Sequence, residues 1–171
     1  MDPLAPLFLD FSVRKLRELN GRIEVCLAQL NDEQIWARGG ENENAVGNLV
    51  LHLAGNVRQW IVSGAGARPD VRNRDSEFAA RGGLPKAELQ ARLRNTVAEA
   101  TAVIQSLTPE RLAVRLTIQG YDVSVLEAVL HVVEHFSMHT GQIIFATKML
   151  TGADLGFYRH LSARAHSERT P

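Results

Sequence analysis

The sequence predicts an all-α fold: a four-helix bundle with a long connector between helices 2 and 3. Four long segments carry apolar residues at three- and four-residue intervals, the pattern of helices that bury one face. No segment shows the strong, sustained alternation of a β-strand. Because 171 residues suffice for one hydrophobic core of ordinary size, we assign residues 1–171 to a single domain.

The first helix is predicted over about 3–30. Its apolar stripe consists of Leu16, Leu19, Ile23, Leu27 and Leu30. Cys26 lies beside this stripe and is expected to be packed rather than reactive. Since it is the only cysteine, no internal disulfide can form, and a reducing compartment is expected. The apolar surface left on this helix is a candidate homodimer contact.

The second helix is predicted over about 44–64, with Asn44 as its N-cap and Gly64 at its end. Its apolar stripe consists of Val46, Leu49, Leu53, Val57, Trp60 and Ile61. Gly47 and Gly55 lower the helix propensity inside it. They either permit a close contact with another helix or have no special role.

The segment 65–84 is predicted to be a connector, either a crossover at the end of the bundle or a loop over a functional site. Its length is unusual for a compact domain. Basic and acidic residues are mixed in it, namely Arg68, Asp70, Arg72, Arg74, Asp75, Glu77 and Arg81. We interpret this mixture as a solvated loop rather than a basic patch.

The third helix is predicted over about 85–107, with Pro85 at its start, where a proline fits well. Its apolar stripe consists of Leu89, Leu93, Val97, Ala100, Ile104 and Leu107. The following sequence RLTIQGYDVS alternates weakly and has Gly120 at a turn. This pattern favours a short hairpin or an extended loop.

The fourth helix is predicted over about 124–150. Ser124 and Glu127 form a capping-box pattern at its start, and Gly152 is expected to end it. A short tail helix is predicted near 155–166. His160 and His166 lie in this tail and are expected on the surface.

The charge balance restricts the class of partner. Lys and Arg number 19, as do Asp and Glu, so the formal net charge is zero. A nucleic-acid-binding protein normally shows a basic excess. No apolar run is long enough to span a membrane, and the first residues lack the pattern of a signal peptide. We therefore predict a cytoplasmic protein and expect neither nucleic acid nor a membrane as its partner.

Half of the six histidines lie four residues apart in the fourth helix, at His131, His135 and His139. Positions i and i+4 share a helix face about 6 Å apart, so either neighbouring pair can bind one metal ion. The outer two are about 12 Å apart along the helix axis. That separation is too large for metal–nitrogen bonds of about 2.0–2.1 Å. The spacing therefore selects His135 and leaves its partner open.

His52 makes a three-histidine site a reasonable hypothesis. It lies beside the apolar stripe of the second helix, with Asn48 and Asn56 one turn away on either side. Three imidazoles leave one coordination position open, as in catalytic zinc sites. The competing interpretation is a polar seam in which the histidines are only hydrogen-bonded. Gln142 follows His139 by three residues and is either a hydrogen-bond partner of that ligand or a packed polar residue.

The segments NLVLHLAGN and EHFSMHTGQI resemble the DinB-like (YfiT-like) metalloenzyme superfamily. The resemblance covers essentially the whole chain and includes the long connector. It implies a four-helix bundle whose middle two helices run parallel, and a divalent metal held by His52, His135 and His139. It also implies that His131 lies one turn outside the ligand set, behind a ligand or in a cavity wall.

The resemblance further implies a chemistry, since several members of the superfamily are thiol transferases that act with thiols such as bacillithiol or mycothiol. Mycothiol-dependent maleylpyruvate isomerase is a related case. We therefore expect a metal-dependent thiol S-transferase, or a related hydrolase, with a low-molecular-weight thiol as cosubstrate and a small electrophilic substrate. Zinc is the expected metal, and nickel and iron also suit imidazole ligands. No H-E-x-x-H arrangement is present, which argues against a metalloprotease, and no catalytic residue is assigned.

Two alternatives stay open. The first is a metal-stabilised helical bundle with a binding or stress-response role and no turnover. A fourth ligand, such as a carboxylate from the 65–84 connector, would favour it. The second is a helical dimer whose histidines are only packed.

Overall fold

The computed structural model describes residues 4–162, and this part of the chain is mostly helical. Its helices are α1 (Leu4–Gln29), α2 (Asp32–Trp36), α3 (Val46–Val57), α4 (Arg74–Ala79), α5 (Lys86–Ser106), α6 (Pro109–Leu112) and α7 (Val125–Thr151). A π-helix, Arg58–Ala65, continues α3 directly, and a 3₁₀ turn spans Arg159–Ser162. The mainly helical class predicted from the sequence is confirmed.

The apolar stripes of the four long helices meet in one core. α1 packs against α5 and α7, and α3 packs against the same two helices. Leu16, Leu53, Leu93 and Phe136, one from each long helix, are almost fully buried there. Burying such a side chain contributes about 1.5–3 kcal/mol. Cys26 is also buried, as predicted, and burial raises the pKa of its thiol, which leaves it in the unreactive protonated form.

Local signals locate most helix ends. The hydroxyl of Ser124 accepts a hydrogen bond from the Glu127 N–H, and Gly152 ends α7 with a φ of 67°. The predicted cap at Asn44 is wrong, because the N-cap of α3 is Ala45. The Asn48 side chain takes over the capping role, since its Oδ1 accepts from the Ala45 N–H at 3.1 Å.

α3 and α5 run in the same direction. Arg58, at the start of the π-helix, pairs with Glu99 at 2.9 Å, and Gly66 lies against Val103 further along both helices. The connector must therefore return along the length of a helix before α5 can begin. It forms α4 on the way, which packs against α3.

The sequence RLTIQGYDVS forms the hairpin that its alternation favours. Strands β1 (Arg115–Ile118) and β2 (Tyr121–Ser124) pair antiparallel, with Ile118 opposite Tyr121. Gln119 and Gly120 form the two-residue turn with φ values of 51° and 81°. Positive φ at both turn positions matches the twist of a two-residue hairpin, and glycine adopts it without strain.

The tail differs from the predicted helix over 155–166. Within the described residues it contains only the 3₁₀ turn, and His160 is partly buried there rather than fully exposed. The segment 163–166, including His166, lies outside the described residues. A membrane-spanning helix would have to be longer or more apolar than any found between residues 4 and 162.

Candidate metal site

α3 and α7 bring His52, His135 and His139 together. The Nε2 atom of His135 lies 3.0 Å from Nε2 of His52 and 3.2 Å from Nε2 of His139. One ligand atom from each histidine lies within 4.8 Å of the other two. Two nitrogens bound to a tetrahedral zinc at about 2.0–2.1 Å would be about 3.4 Å apart. The observed spacing is close to that value, so this group could hold a divalent metal.

The hydrogen bonds behind two of these histidines fix their tautomers. Nδ1 of His52 lies 3.0 Å from Oε2 of Glu77, and Nδ1 of His139 lies 2.6 Å from Oε1 of Gln142. Both oxygens only accept, and the Glu77 oxygen lies nearer to Nδ1 of His52 than the Arg72 Nη does at 3.2 Å. We therefore assign the hydrogen to each Nδ1 and a lone pair to each Nε2. Both lone pairs face the His135 Nε2, which can donate to only one at a time. A cation at the centre would satisfy all three nitrogens.

A buried ion pair supports the His52 imidazole. Glu77 is 7% exposed, and Nε of Arg72 donates to its Oε1 at 2.8 Å, while an Nη of Arg72 donates to its Oε2 at 2.9 Å. Burial by itself would raise the pKa of Glu77. The hydrogen bonds from Arg72 and His52, together with their charges, outweigh burial and hold this pKa below its ordinary value. Glu77 is therefore an ionised carboxylate that orients His52.

The surroundings keep the facing histidines neutral. Burial, followed by the nearby charges of His139, His52, His131 and Arg72, lowers the pKa of His135 to about 3. Burial also lowers the pKa of His139, against the opposing effect of its hydrogen bond with Gln142. Neutral imidazole is the form that binds metal. These two side chains are thus in their metal-binding form at neutral pH.

Two positions of NLVLHLAGN, Asn48 and Gly55, help to place Glu77. The Asn48 Nδ2 donates to the backbone oxygens of Glu77 and Ala80, at 2.8 and 3.0 Å, and so ties α4 to α3. A Cβ at Gly55 would overlap the Glu77 carboxylate, so only glycine leaves room for it. Gly55 therefore permits a close contact, but with α4 and not with another long helix.

His131 and Gln142 lie on opposite sides of the group. Gln142 is exposed and hydrogen-bonds His139, which is one of the two roles expected for it. His131 does not join the three histidines that converge, because it faces Asn56 and Trp60 one turn away. Its Nε2 lies 3.5 Å from Nδ2 of Asn56, and its ring centroid is 4.0 Å from that of Trp60.

The solvated-loop interpretation of the connector is wrong for Arg72 and Glu77. The Arg72 side chain is only 3% exposed, whereas Arg68, Arg74 and Arg81 are exposed as expected. Burial of the pair comes from contact with α3, which charge composition does not encode. The one sequence feature that indicated a close contact at this position was Gly55, a glycine inside a helix and about one turn from His52.

Comparisons with known proteins agree with this fold. A solved structure of a conserved protein from Enterococcus faecalis matches with a TM-score of 0.73 and 16% identity, over 84% of this chain and 97% of that one. A DinB-like protein, YjoA, from Bacillus subtilis matches with a TM-score of 0.66 and 15% identity, over 86% and 96%. At such identities the likeness concerns the fold alone.

The sequence comparisons are consistent with these structural matches. No curated protein matches the chain. A family model described as "Protein of unknown function (DUF1572)" matches residues 4–163, which is nearly the whole chain. The chain belongs to this DUF1572 family, and its fold is similar to that of a DinB-like protein.

Proposed function

We propose that the protein is a four-helix bundle that binds one divalent transition metal, zinc in the first instance, through Nε2 of His52, His135 and His139. The observation that carries this proposal is the convergence of three Nε2 atoms, two of which are fixed as lone-pair donors by Glu77 and Gln142. Imidazole sets suit zinc, and nickel and iron as well.

We further propose that the site is that of a thiol S-transferase acting on a small electrophile. A bound divalent ion would supply a Lewis-acidic position at which a low-molecular-weight thiol favours its nucleophilic thiolate form. His52, His135 and His139 would hold the ion, and Phe78, whose ring lies 4.7 Å from that of His52, covers one side of the group. Glu77 is committed to His52 and Arg72, so it is not a free base.

The alternative is a metal-stabilised bundle without turnover, which a fourth protein ligand would favour. Within residues 4–162 the group of potential ligands consists of the three histidines and no carboxylate. The connector does supply a carboxylate, Glu77, but it contacts the far nitrogen of His52. This arrangement supports an open position for substrate. The expected homodimer stays a prediction.

Elemental analysis of tag-free protein tests the metal proposal. We expect about one zinc, nickel or iron per chain, and none in the triple variant H52A/H135A/H139A. H131A is the matched control, because it removes a histidine of the same helix face and should retain the metal. Equal metal content in the triple variant would exclude the site.

A screen of cellular thiols against small electrophiles then tests the activity. Turnover that requires both metal and thiol, and that is lost in H135A, would support the transferase. Metal-dependent stability without any thiol-dependent turnover would support the non-catalytic alternative. If a zinc titration detects no binding, the remaining interpretation is that the histidines are only packed.

A further inference from the structure

The faces of α3 and α7 that carry the three histidines continue as a polar seam toward the hairpin. Asn56 and Trp60 follow His52 at one-turn intervals, and His131 precedes His135 by one turn. The Asn56 amide and the Trp60 ring both contact the His131 imidazole. These three residues form a cluster, here called the seam subsite, directly beside the candidate metal site.

The seam contains buried polar atoms that lack partners. Within the described residues, Oδ1 of Asn56, Nε1 of Trp60 and Nδ1 of His135 are buried without a hydrogen bond. Asn56 is 3% exposed and Trp60 is 4% exposed. Each unpaired buried group has lost its hydrogen bonds to water without gaining one in the protein, which is unfavourable. Native proteins tolerate such groups mainly where a ligand or an ordered water supplies the partner.

The contrast with Trp36 shows that Trp60 is unusual in this chain. The indole N–H of Trp36 donates to the backbone oxygen of Leu84 at 3.0 Å. That of Trp60 has no such acceptor, although its side chain is more deeply buried than that of Trp36. The unpaired indole N–H is therefore a property of the seam subsite and is not shared by Trp36.

The donors and acceptors of the seam specify the chemistry of an occupant. The Trp60 indole only donates, because its nitrogen carries a hydrogen and no available lone pair. Oδ1 of Asn56 only accepts, because the Nδ2 of that amide faces His131. An occupant must therefore present both an acceptor and a donor, which an amide group does.

A neutral amide fits better than a carboxylate. The nearest buried charges, Arg72 and Glu77, already pair with each other, so neither is left to neutralise an ionic group. A carboxylate would lie beside the Asn56 oxygen with no buried cation to balance it, which is costly.

The seam is less buried toward the hairpin. His131 is only partly buried, and the Tyr121 ring lies 6.5 Å from the Trp60 ring while 63% exposed. A small molecule that entered beside Tyr121 would place one end at the three histidines and its middle against Asn56 and Trp60.

We propose that Asn56, Trp60 and His131 bind a neutral amide group of the small molecule whose reactive end lies at the three-histidine site. The amide oxygen accepts from the Trp60 indole, and the amide N–H donates to Oδ1 of Asn56. Only the position of the reactive end rests on the proposed function. The amide subsite itself depends on the seam residues alone.

Titration of ¹⁵N-labelled protein with acetamide tests this directly, because the two indole N–H signals serve as probe and internal reference. We expect a saturable shift of the Trp60 signal and none of the Trp36 signal. Sodium acetate at equal ionic strength should shift Trp60 at least about tenfold less at the same concentration. A static Trp60 signal would mean that only water fills the seam, and an equal response to acetate would overturn the amide assignment.

Variants locate the subsite. N56L should weaken acetamide binding at least about tenfold, since it removes the acceptor at nearly constant volume. N20L is the matched control, because Oδ1 of Asn20 is also buried and unpaired but lies on α1. An equal loss of binding in N20L would contradict the proposal. The wild-type titration decides the question by itself if N56L does not fold.

Repeating the titration on H52A/H135A/H139A separates the two proposals. Acetamide binding that persists in this variant, together with absent metal binding by the wild type, would uphold the subsite and refute the metal function. Metal binding by the wild type without any acetamide response would uphold the metal function and refute the subsite.

Discussion

The two ends of the three-histidine group are supported in opposite ways. At the inner end, His52 is 6% exposed and hydrogen-bonds Glu77, which is itself buried and held by Arg72. At the outer end, His139 hydrogen-bonds Gln142, an exposed residue on its own helix. The inner support comes from a distant segment and the outer support from three residues away. Equivalent ligands can therefore depend very differently on the residues behind them.

The largest expected effect comes from the inner support. Glu77→Gln keeps the volume but removes the charge that orients His52, and we expect zinc affinity to fall by about 10–100-fold. It also leaves the buried Arg72 guanidinium without its partner, so the melting temperature should fall. Calorimetric zinc titration and thermal unfolding measure both. Glu99→Gln, in the exposed pair with Arg58, is the control and should change neither, and equal effects in the two variants would contradict the asymmetry.

Gly55→Ala should disturb the same support without replacing any residue that hydrogen-bonds within it. The new methyl group overlaps the Glu77 carboxylate and must displace it, so we expect zinc affinity to fall by about tenfold. Gly21→Ala serves as the control, because a Cβ there meets nothing within 4 Å. That variant should be about 0.5–1 kcal/mol more stable through helix propensity. Unchanged zinc affinity in Gly55→Ala would mean that the Glu77 contact is dispensable.

Acid should destabilise the metal-free protein. The pKa of His135 is lowered to about 3 in the folded chain, so the unfolded chain binds the extra proton as pH falls below about 6.5. The free energy of unfolding should therefore fall by about 1 kcal/mol per pH unit between pH 6 and 5. The pKa of Glu77 in the folded chain is lowered from the ordinary glutamate value of 4.5, so the free energy of unfolding should continue to fall as the pH drops below about 4.5.

Urea unfolding at several pH values, with a chelator present, measures this slope. His135→Leu should show a smaller slope than the wild type. A stability that rises on acidification would contradict the neutral, buried state of this histidine.

The smallest effect is expected at the outer end. Gln142→Leu removes the hydrogen bond to His139 but leaves the ring on a rigid helix, next to solvent that can replace the amide. We expect zinc affinity to change by about threefold or less. A loss of zinc affinity as large as that in Glu77→Gln would show that the burial of a hydrogen-bond partner does not determine how strongly it affects metal binding.

The difference between local contacts and contacts with distant segments also explains what the sequence could and could not predict. The spans of the four long helices, the capping box at Ser124 and the Gly120 turn depend on nearby residues, and the structure places them as predicted, whereas the predicted tail helix is only a 3₁₀ turn within the described residues. The choice between His131 and His139 depends on how far α3 is shifted along α7, which periodicity within one helix cannot specify. The resemblance supplied that choice, and the structure does bring His139 and not His131 to His52 and His135.

Glu77 illustrates the other limit. Its charged neighbours Asp75 and Arg74 are exposed, as the composition of the connector suggests. Glu77 is buried only because Asn48 ties α4 to α3 and Gly55 leaves a space for its carboxylate. Such burial is a tertiary contact between segments far apart in sequence, so composition predicts the exposed residues and misses the buried one.

X-ray absorption at the zinc edge of tag-free protein reconstituted with one equivalent of zinc distinguishes a three-histidine site from its alternatives. We expect three imidazole nitrogens at about 2.0–2.1 Å and a remaining ligand that is not a protein group. H139A should lose one imidazole, while H131A should give the wild-type spectrum. A site with fewer than three imidazoles, or one that loses an imidazole in H131A but not in H139A, would contradict it.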